Sequence, residues 1–183
     1  MNFFTADTHI NHFNIIKYCY RPFETAQEMD KVIIENTNTI VKANDVLWHL
    51  GDTTWVNPQR YFEQLKCKKI NVIMGNHDRK NKKQLKELAA IGRIELYEGF
   101  IDTSINGQKI TLCHYPMRSW NCSYHGAWHL FGHVHGRGQV SWWSMDVGVD
   151  SNNFMPVSFD QVKAYMEKHY GEKLKEESHP EIL

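Results

Sequence analysis

The sequence predicts an α/β fold, in which a sheet is covered by helices. Three observations carry that expectation. Through the first half, short apolar runs alternate with amphipathic segments in the order strand, helix, strand, helix, strand, helix. In the second half the period shortens to two, around an Asn106-Gly107 turn. The chain has 183 residues, 42% of them hydrophobic, which suits one domain with a core of ordinary size.

The elements follow in order. "NFFTA" is the first strand and runs into Asp7. Thr25 and Glu28 form a capping box that starts a helix, with Met29, Val32, Ile33, Ile40 and Val41 on one face. "DVLWHL" is a buried strand ending at Gly51-Asp52, and "NPQRYFEQLK" is a helix capped by Asn57 with Pro58 at its first position. "KKINVIM" is a third strand ending at Gly75, and "KKQLKELAAIG" a third helix closed by Gly92. "FIDTSI" and "QKITLC" form a hairpin about a type I′ turn. "WHLFGH" and "VSWWSMDVGV" add strands, with the Trp142-Trp143 pair placed on core and sheet surface. A last helix, "SFDQVKAYMEKHY", is opened by a Ser158/Gln161 box and stopped by Gly171. One domain over residues 1–170 and a charged, loosely ordered tail over 171–183 are expected.

Composition narrows the function. Lys and Arg together number 21, as do Asp and Glu, so overall charge points to no membrane or nucleic-acid partner, though a local basic patch such as "RKNKK" stays open. The opening "MNFFTADTHI" lacks the basic region and cleavage site of a signal peptide, and no apolar run approaches a membrane span. Four cysteines without a C-x-x-C pair read as reduced thiols in a cytoplasmic protein, Cys113 as a buried one. Eleven histidines point toward metal chemistry.

The polar residues that can carry such chemistry fall at strand ends. Asp7 and His9 follow the first strand, Asp52 the second, and Asn76, His77 and Asp78 the third. His114 follows "ITLC", and His133 and His135 follow "LF". Ligands of open α/β sheets bind beyond the carboxyl ends of strands. Each piece alone also fits a bland reading: a capped turn for Asp7-Thr8-His9, a strand-to-loop turn for Gly51-Asp52, a packed histidine for His114. Five strand ends repeating the coincidence favour one shared site. Its donors are too many for one tetrahedral zinc and suit two divalent ions with mixed nitrogen and oxygen ligands, Asp52 serving as the bridge. Manganese, iron, cobalt, nickel and zinc all suit such a set. Two ions about 3.5–4 Å apart clamp an in-line displacement at phosphorus and activate a bridging hydroxide. His77 can then protonate the leaving alkoxide, with Asp78 orienting its ring.

The ordered motifs "DTH" (7–9), "GD" (51–52), "GNHD" (75–78), His114 and "GHVH" (132–135) resemble those of the calcineurin-like metallophosphoesterase superfamily, in its small bacterial and phage type. The resemblance covers residues 7–135 in motifs and runs to about residue 170 in element order. It implies a four-layer αββα sandwich of two mixed sheets. It also implies that Asp7, His9, Asp52 and His135 hold one metal, and Asp52, Asn76, His114 and His133 the other. His77 would be the catalytic histidine, supported by Asp78, with the positions of His12 and Arg21 near the site as candidate substrate contacts. The implied activity is hydrolysis of a phosphate-ester small molecule or nucleotide, a diester more than a monoester. A nuclease or a non-catalytic protein-binding scaffold are the alternatives. A scaffold need not keep His77 and every ligand, as this chain does.

Other residues keep two readings. His12 is a substrate contact or a surface histidine. Arg118 reaches a phosphate or forms a salt bridge or a stack on Trp120. His49 reads as structural, and His129, alternating with Phe131 and His133, is left open between core and site.

Overall fold

The computed structural model describes residues 1–138 and 142–170. The expected tail, residues 171–183, and Gly171 lie outside them. Two mixed sheets with flanking helices make up the fold, as expected. In the first sheet β1 (Asn2–Thr5), β2 (Val46–His49), β3 (Lys69–Ile73) and β4 (Glu95–Tyr97) run parallel in spatial order 4-3-2-1. A short antiparallel strand, β9 (Val157–Ser158), adds to the free edge of β1. The second sheet orders β5 (Phe100–Ile105), β6 (Gln108–Cys113), β7 (Trp128–Phe131) and β8 (Ser144–Asp146) consecutively, with only the β5–β6 hairpin antiparallel. Its turn residues, Asn106 and Gly107, both have positive φ (53° and 82°), as a type I′ turn requires.

Two cores follow from the period of the strands. Phe3 of β1 faces α1 (Phe13–Tyr18), α2 (Ala26–Ile40), α3 (Pro58–Phe62) and α4 (Lys82–Ala90) in a cluster with Met29, Ile33, Leu47, Tyr61 and Leu85. Its neighbour Phe4 faces the other way, into the core between the sheets, with Leu50, Ile73, Leu112 and Leu130. α5 (Phe159–Tyr170) packs against β8, β9 and β1 and adds Val162 and Met166 to that second core. Each such fully buried side chain contributes roughly 1.5–3 kcal/mol.

The caps form as the sequence predicts. Thr25 accepts from the Glu28 N–H at 3.1 Å, Asn57 from Gln59 at 3.0 Å, and Ser158 from Gln161 at 3.2 Å. Other elements depart from expectation. α3 ends at Phe62, after which Gln64 and Leu65 bond three residues back, to Tyr61 and Phe62, as tight turns. α1, β4 and β9 are six, three and two residues long, too short to show a period. Trp142 is exposed while Trp143 packs on the second core, so the pair is divided between solvent and protein.

Candidate metal centre

The loops leaving the strands are sewn together by backbone hydrogen bonds. Asp7 N–H donates to Gly51 O, and His9 N–H to Asp52 O, both at 3.0 Å, joining the loops after β1 and β2. Gly132 N–H donates to His114 O at 3.0 Å, joining those after β6 and β7. An isolated bridge between Ala6 and Gly148 ties the two sheets at this same end. The carboxyl ends of both sheets therefore meet at one place.

Two sets of donors assemble there. Asp7, His9 and His135 present ligand atoms all within 4.8 Å of one another, and so do Asp52, His114 and His133. Asp52 sits between the sets: its Oδ2 is 3.5 Å from His9 Nε2 and 3.5 Å from His114 Nε2. Asn76 points its Oδ1 at His114 Nε2, 3.0 Å away. Asp7 Oδ1 and His9 Nε2 are buried with no hydrogen-bond partner, a costly state for polar atoms unless a ligand satisfies them. The donor set thus fits divalent cations on its own chemistry. Cys19 joins His135 and Asp150 in a further cluster, where His135 Nδ1 and Asp150 are already bonded to each other at 2.7 Å.

Backbone strain marks the same residues. Asp7, His9, Asp52, His133 and His135 have φ of 57°, 48°, 55°, 71° and 50°, a left-handed conformation that non-glycine residues adopt at a cost. Close packing explains the glycines beside them. A side chain on Gly75 would collide with the Asp52 carboxylate, and one on Gly132 with the carboxylate of Asp7.

Charge is shared unevenly. Burial pushes the Asp7 carboxyl up to about 7, against the pull of His114 and His135. Burial would raise Asp52 too, but a hydrogen bond from His114 and the charges around it hold it well below the usual carboxylate range. Burial would lower His114, but Asp52 and Asp7 raise it. Its two ring nitrogens face Leu50 O at 2.8 Å and Asn76 Oδ1. His135 is likewise lowered by burial yet raised to about 10 by Asp150, Cys19 and Asp7. Burial depresses His9 strongly and His133 as well.

A family model for the calcineurin-like phosphoesterases matches residues 3–137, well over half of the chain and spanning both donor sets and Asn76. The chain belongs to that family. It is 33% identical over 174 residues to an uncharacterized protein of Methanocaldococcus jannaschii, covering 89% of each chain. The crystal structure of a protein of unknown function from Aquifex aeolicus superposes with a TM-score of 0.73 at 25% identity, covering 90% of this chain and 98% of that one. Calcineurin-like phosphoesterases use divalent metals, and the two donor sets are this chain's candidates to hold them.

The structure revises several residues around the centre of this phosphoesterase. Asp78 does not orient the His77 ring. Its buried carboxylate accepts from the N–H groups of Asp52 (2.7 Å), Thr53 (2.9 Å) and Gly75 (2.9 Å) and from the Thr53 hydroxyl (2.6 Å). It clamps the loops after β2 and β3 instead. Arg21 does not face substrate either. Its side chain is fully buried, paired through two 2.8 Å bonds with Asp150, and donates to the Asp7 and Thr8 carbonyls at 2.7 and 3.2 Å. His77 stands at the rim, its side chain 38% exposed and its Nε2 3.9 Å from Asp52 Oδ2. His12 is buried rather than on the surface, stacked 3.9 Å from the Trp55 ring. Burial drops its pKa to about 4. Arg118 is exposed on the loop after β6, with no ion pair among the described residues.

His49 is structural, as read from the sequence, and His129, left open there, resolves as well. His49 Nε2 meets the Thr8 hydroxyl at 2.9 Å, which donates on to Thr53 O at 2.7 Å, a structural tie between loops. His129 is buried between Thr111 O and the Met117 N–H, at 3.1 and 3.0 Å, and so anchors the loop after His114. Asp150, Trp55 and Tyr115 were missed by sequence reasoning. Asp150 lies in "GVDSNN", which reads as an ordinary turn, and nothing local signals its partners Arg21 and His135.

Proposed function

We propose that this chain is a dinuclear metal-dependent phosphodiesterase. The observation that carries the reading is Asp52, whose Oδ2 lies 3.5 Å from a histidine nitrogen of each donor set, His9 in one and His114 in the other. Asp7, His9, Asp52 and His135 would hold one ion, and Asp52, Asn76, His114 and His133 the other. Bound there, two divalent ions supply an activated water and neutralise charge on the phosphoryl oxygens. The mixed donor set suits manganese, iron, cobalt, nickel or zinc.

The protein's own groups do the rest. Asp7 and His135 Nε2 release their protons as ions bind, while His135 Nδ1 keeps its proton for Asp150. Asp78 and the Arg21–Asp150 pair fix the backbone that aims the donors. His77 Nε2, at the rim, delivers a proton to the leaving-group oxygen. The diester reading follows by analogy with small family members without a large cap, which often cleave diesters. The substrate is a phosphodiester of small-molecule or nucleotide size. All four cysteines are free thiols, in keeping with work in the cytoplasm, and no described helix is long and apolar enough to cross a membrane.

The test starts from metal-free protein, restores manganese, iron, cobalt, nickel or zinc singly, and follows release of nitrophenol from bis-aryl and mono-aryl phosphates. Faster turnover of the bis-aryl ester is expected. No turnover with any metal overturns the reading. His77→Ala should keep both metals and slow poor leaving groups most; loss of two metals in that variant contradicts the role given to His77.

A further inference from the structure

A cavity of about 420 Å³ opens beside the metal centre, within the range of small-ligand pockets. Its wall is continuous with the donors. Gly75 and Cys113 line it and directly precede Asn76 and His114. Tyr115 lines it too, with its ring 5.0 Å from His114 and 4.7 Å from His133.

Two features of the lining are unusual for plain surface. Phe100 is 56% exposed and Tyr115 39% exposed, so two aromatic rings are offered to one cavity. Phe100 is placed there by register, opposite Cys113 on the neighbouring strand. The second feature is charge. Glu98 is already paired with Lys82 at 2.7 Å and Lys86 at 3.5 Å, whereas Arg79 has no ion pair among the described residues. A planar guanidinium with free donors suits a phosphate or the polar edge of a base.

Tyr115 in the cavity wall and the His77 ring have different neighbours at the centre. His77 packs toward His9 and Trp55, 5.2 Å away in each case, whereas Tyr115 packs on His114 and His133. On the mechanism proposed above the leaving alcohol departs past His77, which leaves the cavity to the ester group that stays on phosphorus.

We propose that this cavity is a nucleoside subsite: it holds the base of the retained group against Phe100 and Tyr115, with Arg79 reaching its polar edge. The substrate class is then a nucleotide diester. This rests on the phosphodiesterase reading, so its test uses two esters with one leaving group. The p-nitrophenyl ester of thymidine 5′-monophosphate carries a nucleoside on the retained side, and methyl p-nitrophenyl phosphate carries a single carbon there. Wild type is expected to favour the nucleoside ester at least tenfold in kcat/KM. Phe100→Ala should lower that ratio roughly tenfold, as expected for loss of one stacking ring, and Arg79→Ala should lower it in the same direction. Calorimetric binding of thymidine 5′-monophosphate to the metal-loaded protein should weaken by a similar factor in Phe100→Ala. Equal turnover of the two esters, or a ratio unchanged in both variants, overturns the subsite and leaves the hydrolase standing. No turnover of either ester counts against the hydrolase, and calorimetry then judges the cavity: binding by wild type that Phe100→Ala weakens supports the subsite, and its absence in wild type overturns it.

Discussion

Replacement of Arg21 by methionine tests whether this arginine builds the centre or meets substrate. Methionine keeps much of the aliphatic stem and deletes the guanidinium. Four acceptors then lose donors: the Asp150 carboxylate, the carbonyls of Asp7 and Thr8, and the Met29 sulfur. Asp150 keeps its 2.7 Å bond to His135, so its charge is not wholly abandoned. Removing one member of a buried ion pair costs about 3–5 kcal/mol. In a domain of this size each kcal/mol lowers the melting temperature by roughly 2–4 °C, so a fall of about 6–20 °C is expected. Thermal and urea unfolding of the metal-free protein measure it without recourse to activity. Arg21→Lys should recover less than half of the loss, since an ammonium cannot reproduce the fork. Arg21→Met combined with Asp150→Asn should be less damaging than the two changes added, because the stranded charge goes with its partner. A wild-type melting temperature in Arg21→Met together with a raised KM would refute the reasoning and return Arg21 to the substrate.

Three further outcomes are expected. Asp78→Ala strands four buried donors from the loops after β2 and β3, so it should destabilise by several kcal/mol, roughly 1–3 for each donor that water cannot reach, read by urea midpoint. Unchanged stability there would restore Asp78 to a role at His77 alone. Gly75→Ala drives a methyl group into the Asp52 carboxylate and should lose metal, measured by elemental analysis, with about 1–3 kcal/mol of overpacking; full metal content would show that the loop yields. Metal affinity should fall as pH falls. His135 at about 10, Asp7 at about 7 and the raised His114 all bind protons that a cation must displace, so acid favours the metal-free form. Affinity should change roughly tenfold per pH unit for each proton displaced. Calorimetry in buffers of different ionisation enthalpy counts those protons, and a count of zero at pH 7 would contradict the charge state derived for His135.

Much of the fold and of the centre can be read along the chain. Asp7, Asp52, Asn76, His114, His133 and His135 each follow a short apolar run, and a strand end is a local property of sequence. The caps at Thr25, Asn57 and Ser158 and the Asn106-Gly107 turn involve neighbours two to three residues apart, and all of them form. The elements that escaped, α1, β4 and β9, are held by their neighbours in the fold rather than by their own pattern.

The supporting residues required the folded chain. Arg21 and Asp150 are 129 positions apart, and Asp78 reaches back 26 residues to the Asp52 N–H. Nothing in "YCYRPF" separates a buried arginine from one that reaches a phosphate, and nothing in "GNHD" says which way its aspartate turns. His129 sits on the strand that leads into the loop of His133 and His135, yet its ring is taken by Thr111 and Met117. A residue's type and place on a strand limit the chemistry it can do. What it does is settled by which donor or acceptor lies within about 3 Å of it, and in a buried loop that partner comes from a distant part of the chain.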